Sequence, residues 1–215
     1  VLYPERNVAM SALHPPLEQI SHNPRAYVAD GFMSERDMAT VLARFGDHRP
    51  SMDFGIEWDS GIAGTSGELP VASDPVLAEL SARIEALLGY ASTLPDATFR
   101  FRRYALGDYY PAHVDCYEIA GHHLVATALV YLTDALDGGE TVFPDALDGP
   151  LTIAARKGRL ALWLNYTVDG AIDRRSLHRS EELRAGEKAT LAFFVYAPLA
   201  CAAIEPVAAR IFELA

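Results

Sequence analysis

The chain has 215 residues, half of them hydrophobic, enough to bury the core of one domain spanning 1–215. A formal net charge of −11 without a Lys/Arg stripe argues against a nucleic-acid partner, since neutralising phosphates needs clustered cations. No stretch approaches the roughly 20 apolar residues that span a bilayer, so no membrane partner is expected. Two cysteines, Cys116 and Cys201, without a CxxC pair, exclude a disulfide framework and suit a reducing cytoplasm.

The first 25 residues, rich in Pro, His and Asn, read as an irregular arm without a secretory pattern. YVADGF reads as a short strand. Ser34 then opens a helix, with Asp37 three positions on in the manner of a capping box and Met38, Val41, Leu42 and Phe45 at helical spacing, ending at Gly46. The glycine-rich segment 46–72, with Leu69-Pro70, reads as a loop long enough to act as a lid. A second helix begins after Ser73 with Pro75 in its first turn, carries Val76, Leu80, Ile84, Leu87 and Leu88 on one face, and stops at Gly89. From residue 97 the texture becomes ATFRFRRY, LVATALVYLT, RLALWLNY and ATLAFFVYAP, separated by turn-rich DALDGGE and DALDGP. Short strands between turns predict an antiparallel barrel or jelly roll. The predicted division is 1–95 (arm, helices and lid) and 96–200 (jelly-roll core).

Chemistry concentrates in GDYYPAHVDCYE. His113 and Asp115, two apart on an extended chain, point to one side and can chelate one ion. His178, 63 positions beyond Asp115 in SLHRSEEL, is the candidate third ligand. Two His and one carboxylate with open positions are the site type of iron(II) oxygenases, although zinc accepts the same set and would indicate a hydrolase. Lys188, ten residues after His178, favours iron: a dicarboxylate held by the metal at its keto-acid end presents a distal carboxylate that a cation can pair with. Read alone, Lys188 is an ordinary turn lysine, and HxD pairs arise by chance. His122 and His123 read as part of a polar turn before LVATALVY.

From about residue 60 to 200 the sequence resembles the prolyl 4-hydroxylase-like branch of the 2-oxoglutarate/iron(II) dioxygenases. The matching pieces are DPVLAELSARIEALLG, RYALGDYYPAHVD, ATALVYLTDALDGGETVFP, ARKGRLALWLN, SLH and GEK, in family order. The resemblance implies a double-stranded β-helix (cupin-like jelly roll), mainly β with flanking helices. It implies iron(II) ligands at His113, Asp115 and His178, and 2-oxoglutarate bound by Lys188, with Tyr104 and Thr141 adding hydroxyls. Dioxygen would be the oxidant and ascorbate an accessory reductant. Gly138 and Gly139 serve backbone geometry. An intact Asp115 implies hydroxylation, since related halogenases need a small residue there.

The chain departs from the family where Ala189-Thr190 replace a tryptophan after the lysine and where GTSGELP lacks an arginine, which weakens a peptidyl-proline reading. Arg103, Tyr110, Glu118, Trp163, Asn165 and Arg174 are candidates for the substrate mouth. The expected substrate is an amino acid, an amino-acid-derived metabolite, or a residue held in a peptide or on a carrier. The rivals are a protein-modifying prolyl 4-hydroxylase and a non-catalytic jelly-roll metal-binding or sensor protein. The oligomeric state is not readable from the sequence, although exposed edges of a β-fold often pair and leave a homodimer open.

Overall fold

A computed structural model describes residues 17–45, 65–94 and 97–198. The residues 1–16, most of the expected lid (46–64), and Cys201 lie outside it. In chain order the elements are β1 (Glu18–His22), β2 (Arg25–Ala29), α1 (Glu35–Phe45), β3 (Thr65–Pro70), α2 (Pro75–Leu88), β4 (Thr98–Tyr104), β5 (Tyr110–His113), β6 (Glu118–Ile119), β7 (His122–Tyr131), β8 (Ala135–Gly138), β9 (Thr141–Phe143), β10 (Leu151–Ile153), β11 (Leu160–Leu164), β12 (His178–Ser180), β13 (Leu183–Gly186) and β14 (Lys188–Pro198).

Two antiparallel sheets face each other. The larger runs β1-β2-β11-β7-β14-β4-β3, with β6 added beside β7; the smaller runs β10-β9-β12-β5, and β8 pairs with β13 apart from both. Side chains of the larger sheet (Ala26, Tyr131, Ala161, Trp163) interlock with Phe143 and Ile153 of the smaller, closing the space between them. This is the double-stranded β-helix. The other face of the larger sheet is covered by the helices: Met38 and Val41 of α1 and Leu77, Leu80, Ile84 and Leu88 of α2 share one core with Phe99, Phe101, Val130, Leu191 and Phe193. Covered on both faces, β7, β11 and β14 are apolar almost throughout, which accounts for their weak alternation in the sequence.

The helix signals hold in detail. Ser34 Oγ accepts from Asp37 N at 3.1 Å and donates to the Asp37 carboxylate at 2.6 Å, so the box closes through the hydroxyl. For α2 the cap is Asp74, whose Oδ1 accepts from Val76 N at 2.8 Å, with Pro75 in the first turn. Asp74 also pairs with Arg44 of α1, tying the two helices together. Gly89 ends α2 in the left-handed region, φ +61°.

Two expectations are corrected. The irregular arm contains β1, and the loop 46–72 contains β3, which pairs with β4 along Thr65–Pro70. Both are edge strands of polar, weakly patterned sequence (EQISH, TSGELP): β1 buries none of its side chains fully, and β3 gives Leu69 to the core. Residue 96 is therefore no boundary of the core, because β1, β2 and β3 precede it and complete the larger sheet.

Candidate metal centre and its cavity

His113 and His178 are direct cross-strand partners on β5 and β12, which brings their ring centroids to 4.2 Å. Asp115, two residues on from His113, turns its carboxylate to the same side. Oδ1 lies 3.4 Å from His113 Nε2 and Oδ2 lies 3.8 Å from His178 Nε2. One donor atom from each residue lies within 4.8 Å of the other two.

Each imidazole is fixed through its far nitrogen. His113 Nδ1 stands 2.9 Å from the Pro111 carbonyl and His178 Nδ1 stands 2.9 Å from the Ser176 carbonyl. A carbonyl only accepts, so Nδ1 carries the proton and Nε2 presents its lone pair to the cluster. Asp115 Oδ2 accepts from Thr127 Oγ1 at 2.7 Å, and Thr127 Oγ1 accepts from Asn165 Nδ2 at 3.1 Å. Burial alone would raise the Asp115 carboxyl, but His178, His113 and Thr127 outweigh it and hold it at about 2. Burial pushes His178 down to about 4, keeping that imidazole neutral and able to ligate. For His113 burial also lowers the pKa, but Asp115 overrides it and the net shift is upward. Two oriented imidazole nitrogens and an ionised carboxylate, each braced from behind, fit a divalent iron with open positions.

The cavity continues from this cluster to a buried cation. Lys188 is 2% exposed, opens β14, and faces Tyr104 directly across the ladder with β4. Its ammonium donates to Ser180 Oγ and lies 4.4 Å over the Tyr104 ring. Among the described residues no carboxylate pairs with it. Burial therefore pushes Lys188 down to about 7, although Glu140 opposes the shift. Burial likewise raises the Tyr104 phenol, so it remains a hydrogen-bond donor at neutral pH. Thr141 is buried, its hydroxyl 2.6 Å from Tyr131 Oη, and it lines the same cavity. A buried ammonium surrounded by hydroxyls fits the distal carboxylate of a dicarboxylate such as 2-oxoglutarate. Gly138 and Gly139 hold φ of +73° and +72° beside this end, and a Cβ on Gly138 would meet the Glu182 carbonyl oxygen at 1.9 Å.

The cavity that joins the two ends is open to solvent, with about 640 Å³ free of atoms when the solvent at its mouth is included. Of the proposed mouth residues, Tyr110 and Trp163 line it. Trp163 packs its indole 4.7 Å from the His178 ring, with Nε1 lacking a partner among the described residues. The other four lie outside the described lining. Arg103 points out of the cavity towards Glu187 at 3.9 Å, because alternation on β4 turns Arg100, Arg102 and Tyr104 inward instead. Glu118 and Arg174 are exposed and outside the lining, and Asn165 is fully buried behind Thr127. His122 and His123 sit on β7 rather than in a turn, bonded to Thr93 and to Tyr166. Ala189 belongs to the core under the helices, so the missing tryptophan bears on packing and not on this cavity.

Sequence reasoning missed Arg100, Arg102, Thr127, Tyr131 and Ser180. The alternation ATFRFRRY held the signal for the first two: Phe99 and Phe101 share the core face, so the even-numbered residues share the face of Tyr104. Thr127, Tyr131 and Ser180 become visible only once strands are paired in register.

Residues 99–196 match the family model described as the 2OG-Fe(II) oxygenase superfamily. The chain is 31% identical over 202 residues to a probable prolyl 4-hydroxylase 6 of Arabidopsis thaliana, covering 80% of this chain and 69% of that one. It is 29% identical over 204 residues to prolyl 4-hydroxylase 2 of the same plant, covering 80% and 67%. Among solved structures it is similar to the viral collagen prolyl hydroxylase of Paramecium bursaria Chlorella virus-1 (TM-score 0.64, 19% identity, 80% of this chain and 96% of that one). It is also similar to a Pseudomonas putida prolyl-4-hydroxylase (TM-score 0.56, 16% identity, 79% and 91%). At those identities the structural likeness concerns the fold.

Proposed function

This chain belongs to the prolyl 4-hydroxylase-like branch of the 2-oxoglutarate/iron(II) oxygenases, and from that premise we propose that it hydroxylates an unactivated C–H bond of an amino acid or an amino-acid-derived small molecule. It is a 2-oxoglutarate-dependent dioxygenase using iron(II) and dioxygen. When bound, the iron and 2-oxoglutarate supply an oxidant that places one oxygen atom on substrate carbon as 2-oxoglutarate becomes succinate and carbon dioxide.

What supports the assignment of roles is one observation: the facial His113–Asp115–His178 cluster and the buried Lys188 ammonium open into the same cavity. In this reading the three cluster residues hold the metal. Thr127 fixes the Asp115 carboxylate so that one oxygen stays turned to the metal, and Asn165 fixes Thr127. Lys188, Tyr104 and Ser180 receive the distal carboxylate of the co-substrate, with Thr141 beside them. Trp163 and Phe143 pack around the His178 ring and exclude water from it. Tyr110, beside His113 at 4.7 Å between rings, borders the substrate.

A protein-modifying prolyl 4-hydroxylase is the second reading, favoured by the names of the related proteins. Both are tested together by supplying iron(II), 2-oxoglutarate and oxygen with free amino acids or with proline-containing peptides. The expected result is gain of one oxygen atom by a free amino acid or a derivative, matched by succinate. Oxidation of peptidyl proline alone would replace the first reading with the second.

A further inference from the structure

We propose that the β4 wall of the cavity, Arg100 and Arg102, is a subsite for a carboxylate on the substrate, so that the enzyme acts on an acidic small molecule. The inference deepens the proposed function and rests on it. The chain carries a net charge of −11, yet among the described residues the charged side chains lining the cavity are Arg100, Arg102, Arg179 and Lys188 against Asp115. The sign of the whole molecule is reversed where the substrate must enter.

The reversal is built in by strand geometry. On β4 the odd positions Phe99 and Phe101 are fully buried in the core under the helices, which obliges Arg100 and Arg102 to face inward, in line with Tyr104. Their cross-strand partners on β14 are Ala192 and Thr190, and Phe194 follows on the same face. The small side chains leave the guanidinium groups room to reach the cavity. Arg102 lies 4.6 Å over the Tyr110 ring, a stack that orients its planar fork. It lines the same cavity as the metal cluster and Lys188, and its positive field reaches Tyr104, Tyr110, His113 and Lys188.

The co-substrate does not need these arginines. Iron(II) and the Lys188 ammonium carry three positive charges between them, and the Asp115 carboxylate with the two carboxylates of 2-oxoglutarate carry three negative ones. That half of the cavity is neutral by itself. Arg179 is held by Glu181, with Nη2 at 2.6 Å from the carboxylate, while Arg100 lies 5.2 Å over the Phe194 ring and 3.8 Å from Glu68, which anchors it along the wall. The wall presents these two guanidinium groups above an apolar floor of Leu129, Ala192 and Phe194. Its complement is a short carbon skeleton ending in a carboxylate, the anion that a guanidinium fork recognises in two parallel hydrogen bonds.

The test compares each L-amino acid with its α-carboxamide on the anaerobic enzyme loaded with iron(II) and 2-oxoglutarate. Thermal melting reads binding, and oxygen incorporation in air reads turnover. Acids should raise Tm and gain oxygen, while amidation should lower kcat/KM about 10- to 100-fold, the worth of one charge-assisted pair. The α-amides of Asp and Glu separate an α-carboxylate from a side-chain carboxylate as the recognised group. Arg102→Gln and Arg100→Gln should each narrow the preference for acid over amide, Arg102→Lys should keep part of it, and the outward Arg103→Gln should keep all of it. Amides that serve as well as acids, wall variants that keep the full preference, or a panel in which no acid binds or reacts would overturn the proposal. A protein that takes up neither iron(II) nor 2-oxoglutarate would instead overturn the functional reading beneath it.

Discussion

At the scale of single residues, the site is a set of side chains each held by a second one. Thr127 is the sharpest case, since its hydroxyl is the protein's own fixed contact to the Asp115 carboxylate, and Asn165 Nδ2 holds that hydroxyl in turn. Thr127→Val keeps the volume and removes the bond. Iron(II) affinity should fall about 10- to 100-fold in an anaerobic titration, as for other partners that brace metal ligands. Lys188 makes a prediction in pH. Burial holds its pKa at about 7, below its usual value, so the protein without co-substrate loses the ammonium as pH rises through neutrality. A bound carboxylate needs that proton. The dissociation constant for 2-oxoglutarate should therefore climb towards tenfold per pH unit above about 7, measured calorimetrically under nitrogen. For folding the sign is opposite: between about 7 and the unfolded lysine value the unfolded chain binds the extra proton, so Lys188 adds stability to the protein without co-substrate as pH rises.

Elements position these residues by register, and register decides what the sequence discloses. His113 and Asp115 were legible as a pair from their spacing on an extended strand, whereas His178 and Lys188 rested on the order of motifs that the chain shares with its family. The one-residue choice between Arg102 and Arg103 was misread although the alternation of Phe99 and Phe101 contained it. Thr127, Tyr131 and Ser180 were not legible, because each meets its partner across strands or between the two sheets. Edge strands β1 and β3 escaped for another reason: their sequences, EQISH and TSGELP, carry no hydrophobic period. The β8–β13 ladder offers a test at this scale. Gly138 has φ +73° and leaves 1.9 Å between a Cβ and the Glu182 carbonyl, so Gly138→Ala must displace backbone. It should lower stability by more than about 1 kcal/mol, read by denaturant melting. Since a Cβ on neighbouring Gly139 would lie 3.3 Å from Lys188 Cδ, a shift in this ladder should also weaken 2-oxoglutarate binding.

For the molecule as a whole, the fold separates two tasks between the faces of one sheet. The outer face of β4, β7 and β14 is packed under α1 and α2, and the inner face, with β5 and β12 opposite, is given to polar chemistry. The apolar outer half supplies the rigidity that lets two strands bring imidazoles to 4.2 Å and hold an ammonium away from water. Two sites on one rigid cavity, one for a metal and one for a distant carboxylate, should act as one in binding. Calorimetric titration of 2-oxoglutarate into anaerobic protein, with and without iron(II), measures this directly, in the native chain and in Lys188→Met. The account predicts one site per chain whose affinity depends on the metal and drops about 100-fold without the lysine. Binding that is indifferent to iron(II), or unchanged in Lys188→Met, would contradict it.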